Sequence, residues 1–428
     1  MKRKSELNEQ IFKYRQCNRL TVFFCVDFSV FCGHILLNKD VFSGENKKII
    51  STSKREIKVR KKVIALLLCS CIFHTGVCAA ETEAQASVVI EASTRQIVYG
   101  ENCHERLPMA STTKIMTAIL ALDNGNTTDF VTVSENAQNQ EGSSIYLRTN
   151  DKVELIDLIY GLMLNSGNDA AAAIAEHIGG SVEKFVSMMN SKAAELGCRD
   201  THFSNPSGLF DKEHYSSAYD MALIMSYALK NEEFRKIIST KEYQIEMNGS
   251  TTYLRNHNKL LWQSEDCIGG KTGFTKIAGR CLVSCAERNG ITVIAVTLND
   301  RNDWADHKNM YNFAFSKIDK KDIPEKNSIL CTGKVRGHRI NLLAGDNLAV
   351  PYVLGKNNKI SCKIFLDEKI NKDVFVGMKV GYAEIYSGKY LMGTVPVLSG
   401  QEISDRRKPY ENQLEYMLKG LLLNAGRY

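Results

Sequence analysis

The chain has 428 residues, of which 44% are hydrophobic and 24% charged, a composition that excludes a disordered chain and a protein built of many membrane spans. Its net charge of +7 comes from the first 62 residues, which hold 15 basic and 6 acidic side chains, whereas residues 81–428 hold 40 basic and 42 acidic ones. A nearly neutral body offers no basic surface for nucleic acid, so we expect no nucleic-acid partner.

Residues 1–80 have the features of a leader. The basic stretch 54–62 precedes an apolar run, 63–73, and the small residues of 77–80 then precede polar Glu81. This order is typical of a secretory signal peptide, and the apolar run is shorter than the ~20 residues that a membrane-spanning helix needs. We therefore expect an exported protein.

The segment before the signal, residues 1–53, is unusual for a signal peptide. Its apolar part, 20–37, is interrupted by Asp27 and His34. Two interpretations stay open: an additional membrane anchor, or upstream sequence translated from a misassigned start. In either case we exclude residues 1–80 from the folded body.

Seven of the 13 cysteines lie after the leader, and they are Cys103, Cys198, Cys267, Cys281, Cys285, Cys331 and Cys362. This odd and scattered set is a poor framework for disulfides. No pair among the seven has the CxxC spacing, and none of the nine histidines lies in an HExxH motif. We expect neither a metal nor another cofactor.

Residues 84–318 have the pattern of an α+β domain. Apolar, β-branched segments near both ends predict strands, at 86–91, 96–99, 280–286 and 291–298. Apolar residues at helical spacing between them predict helices, at 111–122, 153–164, 170–178, 182–196 and 219–229. Helices between two groups of strands indicate a mostly antiparallel sheet with helices packed on it.

After residue 323 the helical periodicity disappears. Segments rich in strand-forming residues follow, at 359–366, 374–380, 382–386 and 389–397. Ser387 and Gly388 between the last two predict a hairpin turn. These features predict a small, sandwich-like all-β domain over 323–405.

The last segment, 409–428, is predicted to form an amphipathic helix. Its large apolar residues recur at helical spacing, and they are Leu414, Met417, Leu418, Leu421 and Leu422. The basic residues 406–408 precede it. This helix either docks on its own domain or a second copy, or it lies in a membrane interface.

The first of three short motifs places Ser111 and Lys114 three residues apart at the start of a predicted helix. This spacing brings the hydroxyl and the amine onto one helical face. A lysine whose pKa is lowered by burial or by a neighbouring cation can take the hydroxyl proton. Taken alone, the pattern is common in helices by chance.

The second motif places Ser166 and Asn168 around a glycine, in a break between two predicted helices, where they could equally cap a helix. The third, Lys271-Thr272-Gly273, is predicted at the start of a strand. It supplies a positive charge, a hydroxyl and a glycine that lets a substrate lie against the strand edge. By itself it could be a surface lysine before a turn, but independent accidents rarely produce all three motifs in this order.

With these motifs the sequence resembles the serine D-Ala-D-Ala carboxypeptidases among the low-molecular-mass penicillin-binding proteins. The resemblance extends over residues 84–399, and its most similar segments are 108–117, 160–170, 205–209, 214–220 and 271–275. It implies that the α+β domain is a transpeptidase-like domain of the β-lactamase/penicillin-binding type.

The resemblance also implies roles for residues. Ser111 would attack the carbonyl of the penultimate D-alanine of a peptidoglycan stem peptide, Lys114 would accept its proton, and Ser166 would pass a proton to the leaving amine. The backbone N–H groups of Ser111 and Phe274 would form the oxyanion hole, and His214 would serve packing. The residues implied to bind the substrate are Asn168, Lys271, Thr272, Gly273 and Phe274.

The implied partners are peptidoglycan stem peptides as substrates and β-lactam antibiotics as inhibitors that trap the acyl-enzyme. The implied location is the extracytoplasmic face of the cell membrane or the cell wall. Many enzymes of this family end in an amphipathic anchor, so the resemblance favours a peripheral membrane contact through the C-terminal helix.

Three alternative functions share parts of this pattern. A class A β-lactamase needs a glutamate after the second motif to activate water, and no glutamate between residues 168 and 271 has such a context. A penicillin-binding wall module without turnover would be favoured by the loss of Ser111 or Lys114, and both are present. A transpeptidase differs only in its acceptor, an amine instead of water, which the sequence does not distinguish.

Overall fold

The computed structural model describes residues 81–247, 250–357, 359–367, 370 and 373–404. The predicted leader, residues 1–80, and the predicted helix over 409–428 lie outside these residues. Within them, no helix is long and apolar enough to span a membrane.

One antiparallel sheet organises the first part of the described chain. The strands up to residue 298 are β1 (Ala86–Glu91), β2 (Ile97–Glu101), β3 (Phe130–Thr132), β4 (Lys152–Glu154), β5 (Glu242–Met247), β6 (Ser250–Arg255), β7 (Cys267–Thr275), β8 (Gly279–Arg288) and β9 (Ile291–Leu298). Five of them form a sheet in the order β2-β1-β9-β8-β7, whereas β3 pairs with β4 and β5 with β6. This order leaves β7 at an edge of the sheet.

Helices cover both faces of this sheet. The helices of this part of the described chain are α1 (Lys114–Asn124), α2 (Glu135–Gln138), α3 (Leu155–Leu164), α4 (Asn168–Gly179), α5 (Val182–Leu196), α6 (Ala218–Ala228), α7 (Glu232–Ser239), α8 (Leu260–Gln263) and α9 (Asp303–Lys317). In β1, Val88 and Ile90 face the core shared with α1, α3 and α4, whereas Val89 faces the core shared with α9. Successive strand side chains point to opposite faces, which is why a strand covered on both sides is apolar throughout.

Helix α4 lies at the centre of the larger core. Its residues 170–175 are five alanines and one isoleucine, each at most 2% exposed. Because these side chains are small, α1, α3 and α5 pack closely around the helix. The first residue of α4, Asn168, is therefore held in place from several sides.

The later part of the described chain consists of strands: β10 (Ile318–Asp322), β11 (Ile329–Val335), β12 (His338–Ala344), β13 (Ala349–Val353), β14 (Ile360–Leu366), β15 (Lys379–Ser387) and β16 (Tyr390–Ser399). Five of them form a sheet in the order β11-β12-β16-β15-β14, and β10 pairs with β13. A separate, smaller core includes Val335, Val380 and Val397. A mixed helix-and-strand part followed by an all-β part confirms the predicted fold class in these terms.

Two predicted elements differ from those observed. The predicted helix at Ser111 is a 3₁₀ turn over Ala110–Thr113, and the α-helix begins only at Lys114. The predicted strand over 374–380 is mostly a turn around Gly377, which has a φ of 80°, and β15 begins at Lys379.

Nothing in the sequence pattern predicted α2, α7, α8, α9, the β3–β4 and β5–β6 pairs or the strands β10–β13. Helix α9 illustrates why. Its buried face includes Asp303, Asp306 and His307 beside Met310 and Tyr311, so polar residues interrupt the apolar periodicity that would have indicated a helix.

Candidate active site

Ser111 lies half-buried in the 3₁₀ turn that precedes α1. Its Oγ is 3.1 Å from the Nζ of Lys114, the first residue of α1. The three-residue spacing of the motif thus brings the hydroxyl and the amine within hydrogen-bonding distance.

The Lys114 amine is fully buried and has two further partners. It donates to Asn168 Oδ1 at 2.7 Å and to the backbone carbonyl of Ser207 at 2.5 Å. Burial lowers the pKa of Lys114 well below its ordinary value, the positive charge of Lys271 lowers it further, and Asp169 opposes the shift. The side chain therefore favours the neutral amine.

The start of α4 fixes Asn168 between the lysine and a neighbouring loop. Its Nδ2 donates to the carbonyl of Glu141, and its backbone N–H donates to the carbonyl of Ser143 at 2.7 Å. The buried Asp169 carboxylate accepts hydrogen bonds from the backbone N–H groups of Ile145 and Leu147. These bonds orient the Asn168 amide with its oxygen toward the lysine.

Ser166 lies in the turn between α3 and α4, and it is only 5% exposed. Its φ of 63° is in the left-handed region, which is uncommon for a residue with a side chain. Its hydroxyl has no hydrogen-bond partner among the described residues. A strained serine two residues before Asn168 is the kind of backbone outlier that occurs at functional sites.

The Lys-Thr-Gly motif lies in the middle of β7 rather than at its start. Lys271 is 1% exposed, and burial lowers its pKa to about 7. Its Nζ donates to the Thr272 carbonyl at 3.0 Å. Thr272 is half-buried, whereas the Phe274 side chain is 66% exposed.

Gly273 is where β7 meets the 3₁₀ turn. A Cβ at this position would lie 3.0 Å from both the Ser111 nitrogen and the Met109 carbonyl oxygen, closer than side chains normally pack. Because glycine has no Cβ, the strand can lie directly against the turn that carries Ser111. One long edge of β7 is bonded to β8, and the other pairs with no strand among the described residues, so an extended peptide can add along that free edge.

The structure therefore brings Ser111, Lys114 and Asn168 into direct contact and sets β7 beside them. The sequence pattern did not reveal two of their partners, the carbonyls of Ser207 and Glu141. It also did not reveal His257, whose pKa is lowered by burial and by the charge of Lys271. Backbone carbonyls leave no residue-type signal. Only the similarity of segment 205–209 to the family pointed to that region.

The sequence matches two family models. Residues 74–302 match the family D-alanyl-D-alanine carboxypeptidase, and residues 319–405 match the C-terminal domain of penicillin-binding protein 5. The first match ends just before α9, and the second begins just after it, where the structure changes from helices and strands to strands alone.

Comparisons with curated proteins and with solved structures agree with these two matches. The chain is 34% identical to D-alanyl-D-alanine carboxypeptidase DacF of Bacillus subtilis over 75% of this chain and 86% of the relative. It is 37% identical to DacD of Escherichia coli over 51% of this chain and 58% of the relative. A structure of penicillin-binding protein 5 from Haemophilus influenzae is similar over 77% of this chain and 100% of its own length, with 27% identity and a TM-score of 0.58.

Proposed function

The chain belongs to the D-alanyl-D-alanine carboxypeptidase family and is a serine-type hydrolase of that family, and on this premise we propose a residue-level mechanism for the removal of the terminal D-alanine from peptidoglycan stem pentapeptides. Ser111 Oγ forms a bond to the carbonyl carbon of the penultimate D-alanine, and the amide C–N bond breaks. Free D-alanine leaves, and the shortened peptide remains as an ester on Ser111.

The hydrogen-bond contacts of Lys114 are the main observation that supports this mechanism. A neutral amine has two N–H donors and one lone pair. The Asn168 oxygen and the Ser207 carbonyl can only accept, so they take the two N–H groups at 2.7 and 2.5 Å. The lone pair is left for the third neighbour, the Ser111 hydroxyl, at 3.1 Å. Lys114 is thereby arranged to accept the serine proton as a general base.

Negative charge develops on the carbonyl oxygen when Ser111 attacks. The backbone N–H groups of Ser111 and Phe274 would hold this oxygen, a role supported by the close approach of Gly273 to the Ser111 nitrogen. Fixed backbone donors lower the barrier because they need no reorganisation when the charge forms.

Lys271 and Thr272 would bind the terminal carboxylate of the substrate, and Asn168 would hold the substrate amide while the backbone of Gly273 and Phe274 runs alongside. A bound carboxylate raises the pKa of Lys271 and keeps it charged. The charge of Lys271 in turn lowers the pKa of Lys114, so binding of the correct end group favours the neutral base.

The proton taken by Lys114 must reach the nitrogen of the leaving D-alanine. Ser166 is proposed to relay it, since this serine lies two residues before Asn168, in the turn that leads into α4, and its hydroxyl has no competing partner among the described residues. Water then adds to the ester carbonyl, Lys114 accepts its proton, and the Ser111 oxygen leaves and is reprotonated. β-Lactams that imitate the D-Ala-D-Ala end are expected to acylate the same Ser111.

The mechanism is tested with the change Ser111→Ala. We expect no labelling by a fluorescent penicillin and no release of D-alanine from a stem pentapeptide, while the melting temperature stays nearly unchanged. Ser134→Ala is a control, because the hydroxyl of that serine accepts from the backbone N–H of Ala137 in α2 and has no part in the mechanism. Labelling that persists in Ser111→Ala would mean that another residue is the nucleophile.

The organisation of the whole chain is a separate proposal. We infer a catalytic domain over 84–318, a β-domain over 323–405 and an amphipathic helix over 409–428, following a signal peptide that directs export to the outer face of the membrane or to the wall. The loss of helices after Lys317, within the described residues, supports the boundary between the first two domains. The basic residues 406–408 would add ~1 kcal/mol each to binding of an anionic surface.

Liposome flotation tests the proposed membrane contact. We expect the mature protein to bind anionic liposomes at low salt, and a deletion from Pro409 onward to release it with peptidase activity intact. If full-length and truncated proteins float equally poorly, the C-terminal helix is a docking element instead.

A further inference from the structure

His214 lies in a segment that packs against the turn carrying Ser111. The ring is 3% exposed and lies edge-on to Phe203, with 5.9 Å between the ring centroids. Its Nδ1 accepts a hydrogen bond from the backbone N–H of Ser204 at 2.9 Å, and its Nε2 is 2.8 Å from the Thr113 hydroxyl.

These two contacts define the protonation of the ring. The Ser204 N–H can only donate, so Nδ1 must be an acceptor and the single ring proton lies on Nε2. Burial lowers the pKa of His214 to about 4, Asp211 opposes this shift, and His202 and Lys114 add to it. The ring is therefore neutral at physiological pH, with a fixed donor aimed at Thr113.

Thr113 links the His214 ring to the backbone carbonyl of Ala110, the residue before Ser111. Its hydroxyl accepts from His214 Nε2–H and donates to the Ala110 carbonyl at 2.8 Å. Ala110 has a φ of 47°, a left-handed conformation that a residue with a Cβ adopts only when its surroundings hold it there. From the other side, Gly208 packs so closely that a Cβ would lie 2.0 Å from the Ala110 oxygen.

The Ala110 carbonyl and the Ser111 N–H belong to one peptide unit. This unit is planar and trans, so holding the oxygen on one side fixes the direction of the N–H on the other. The Ser111 nitrogen faces β7, where a Cβ on Gly273 would be 3.0 Å away. This series of contacts from His214 through Thr113 to the Ala110 carbonyl, the His214 relay, therefore ends at the Ser111 N–H group, which faces β7.

We propose that His214 is a positioning residue that, through Thr113, orients the Ala110–Ser111 peptide and aims the Ser111 N–H at the developing oxyanion. This inference rests on the proposed function, since it assigns the Ser111 N–H to the oxyanion hole. It gives a mechanistic role to a histidine that the sequence analysis assigned to packing.

Two isosteric replacements separate this role from packing. In His214→Asn the side-chain oxygen takes the place of Nδ1, so the Ser204 bond stays and the donor to Thr113 is lost. In His214→Gln the side-chain amide takes the place of Nε2, so the donor to Thr113 stays and the Ser204 bond is lost. We expect acylation by penicillin to slow at least about tenfold in His214→Asn and much less in His214→Gln.

A second pair of variants tests the relay without changing the histidine. Thr113→Val removes the hydroxyl at nearly constant shape, whereas Thr113→Ser keeps it. We expect Thr113→Val to lower kcat for a stem pentapeptide by about as much as His214→Asn, with KM little changed, and Thr113→Ser to restore kcat. The double variant His214→Asn/Thr113→Val should be no slower than either single variant, because both break one relay.

The controls distinguish the possible failures. His202→Asn changes an exposed neighbouring histidine and should acylate like the wild type. If the wild type is not acylated at all, the proposed function is wrong. If the wild type is acylated but Thr113→Val and His214→Asn match it, or if the losses in His214→Asn and His214→Gln simply follow their melting temperatures, the positioning role is wrong.

Discussion

Each side of the five-stranded sheet buries a histidine among hydroxyl groups. On the side that carries Ser111, His214 contacts Thr113. On the opposite side, His307 of α9 is bonded to Ser284 of β8 and lies 3.1 Å from the Thr297 hydroxyl of β9. Burial lowers both pKa values, to about 4 for His214 and about 3 for His307.

The two histidines differ in what their hydrogen bonds reach. The His214 relay ends at the backbone N–H of Ser111, a half-buried residue beside an edge strand. The His307 group is closed between β8, β9 and α9, where Ser284 and Tyr311 are at most 1% exposed. A perturbed pKa is therefore a sign of function only where its network touches an accessible reacting group, and elsewhere it records burial alone.

The largest effect is expected on the side of the sheet that carries Ser111, from the change Lys114→Ala. Acylation by penicillin should slow by at least ~10², because a positioned general base contributes on this scale. Lys184→Ala, at an exposed lysine of α5, is the control and should leave the rate unchanged. A wild-type rate in Lys114→Ala would mean that another group accepts the serine proton.

A smaller effect is expected from pH, through Lys271. Burial lowers its pKa to about 7, so the free enzyme loses this positive charge as the pH rises through that value. Since kcat/KM reports the free enzyme, kcat/KM for a carboxylate-ended peptide should fall by up to about tenfold per pH unit above 7.

Two comparisons isolate the contribution of Lys271 to this pH profile. A C-terminal amide analogue should lack the decline, and Lys271→Ala should harm the carboxylate substrate far more than the amide. Equal declines of kcat/KM for both substrates would show that the charge of Lys271 does not contribute to binding of the terminal carboxylate.

The smallest effect on acylation is expected on the opposite side of the sheet, where α9 lies, from the change His307→Leu. The change removes one hydrogen-bond partner from each of two buried hydroxyls, those of Thr297 and Ser284, so the free energy of unfolding should fall by about 1–3 kcal/mol. Acylation should not change, as measured beside urea denaturation. Tyr311→Phe keeps the His307 bonds and should cost only about 1 kcal/mol. A loss of acylation in His307→Leu as large as in His214→Asn would break the distinction between the two sides.

Much of this molecule follows from local sequence. The period-2 and helical patterns predicted the α+β part and the all-β part, because burial of one face or stripe imposes those spacings. The three-residue spacing of Ser111 and Lys114 predicted their contact, since one helical turn brings such residues together. The order of the three motifs was sufficient to identify the family and its serine hydrolase activity, both confirmed by the comparisons.

Other features arise only when distant segments pack together. The Ser207 carbonyl reaches Lys114 across 93 residues of chain, and the His214 ring reaches Thr113 across 101. The burial of Lys271 and the close approach of Gly273 to Ser111 depend on how β7 lies against the 3₁₀ turn. Neither backbone carbonyls nor desolvation have a residue-type signature, so the lowered pKa of Lys114 and the position of the Ser111 nitrogen beside Gly273 depend on the tertiary structure.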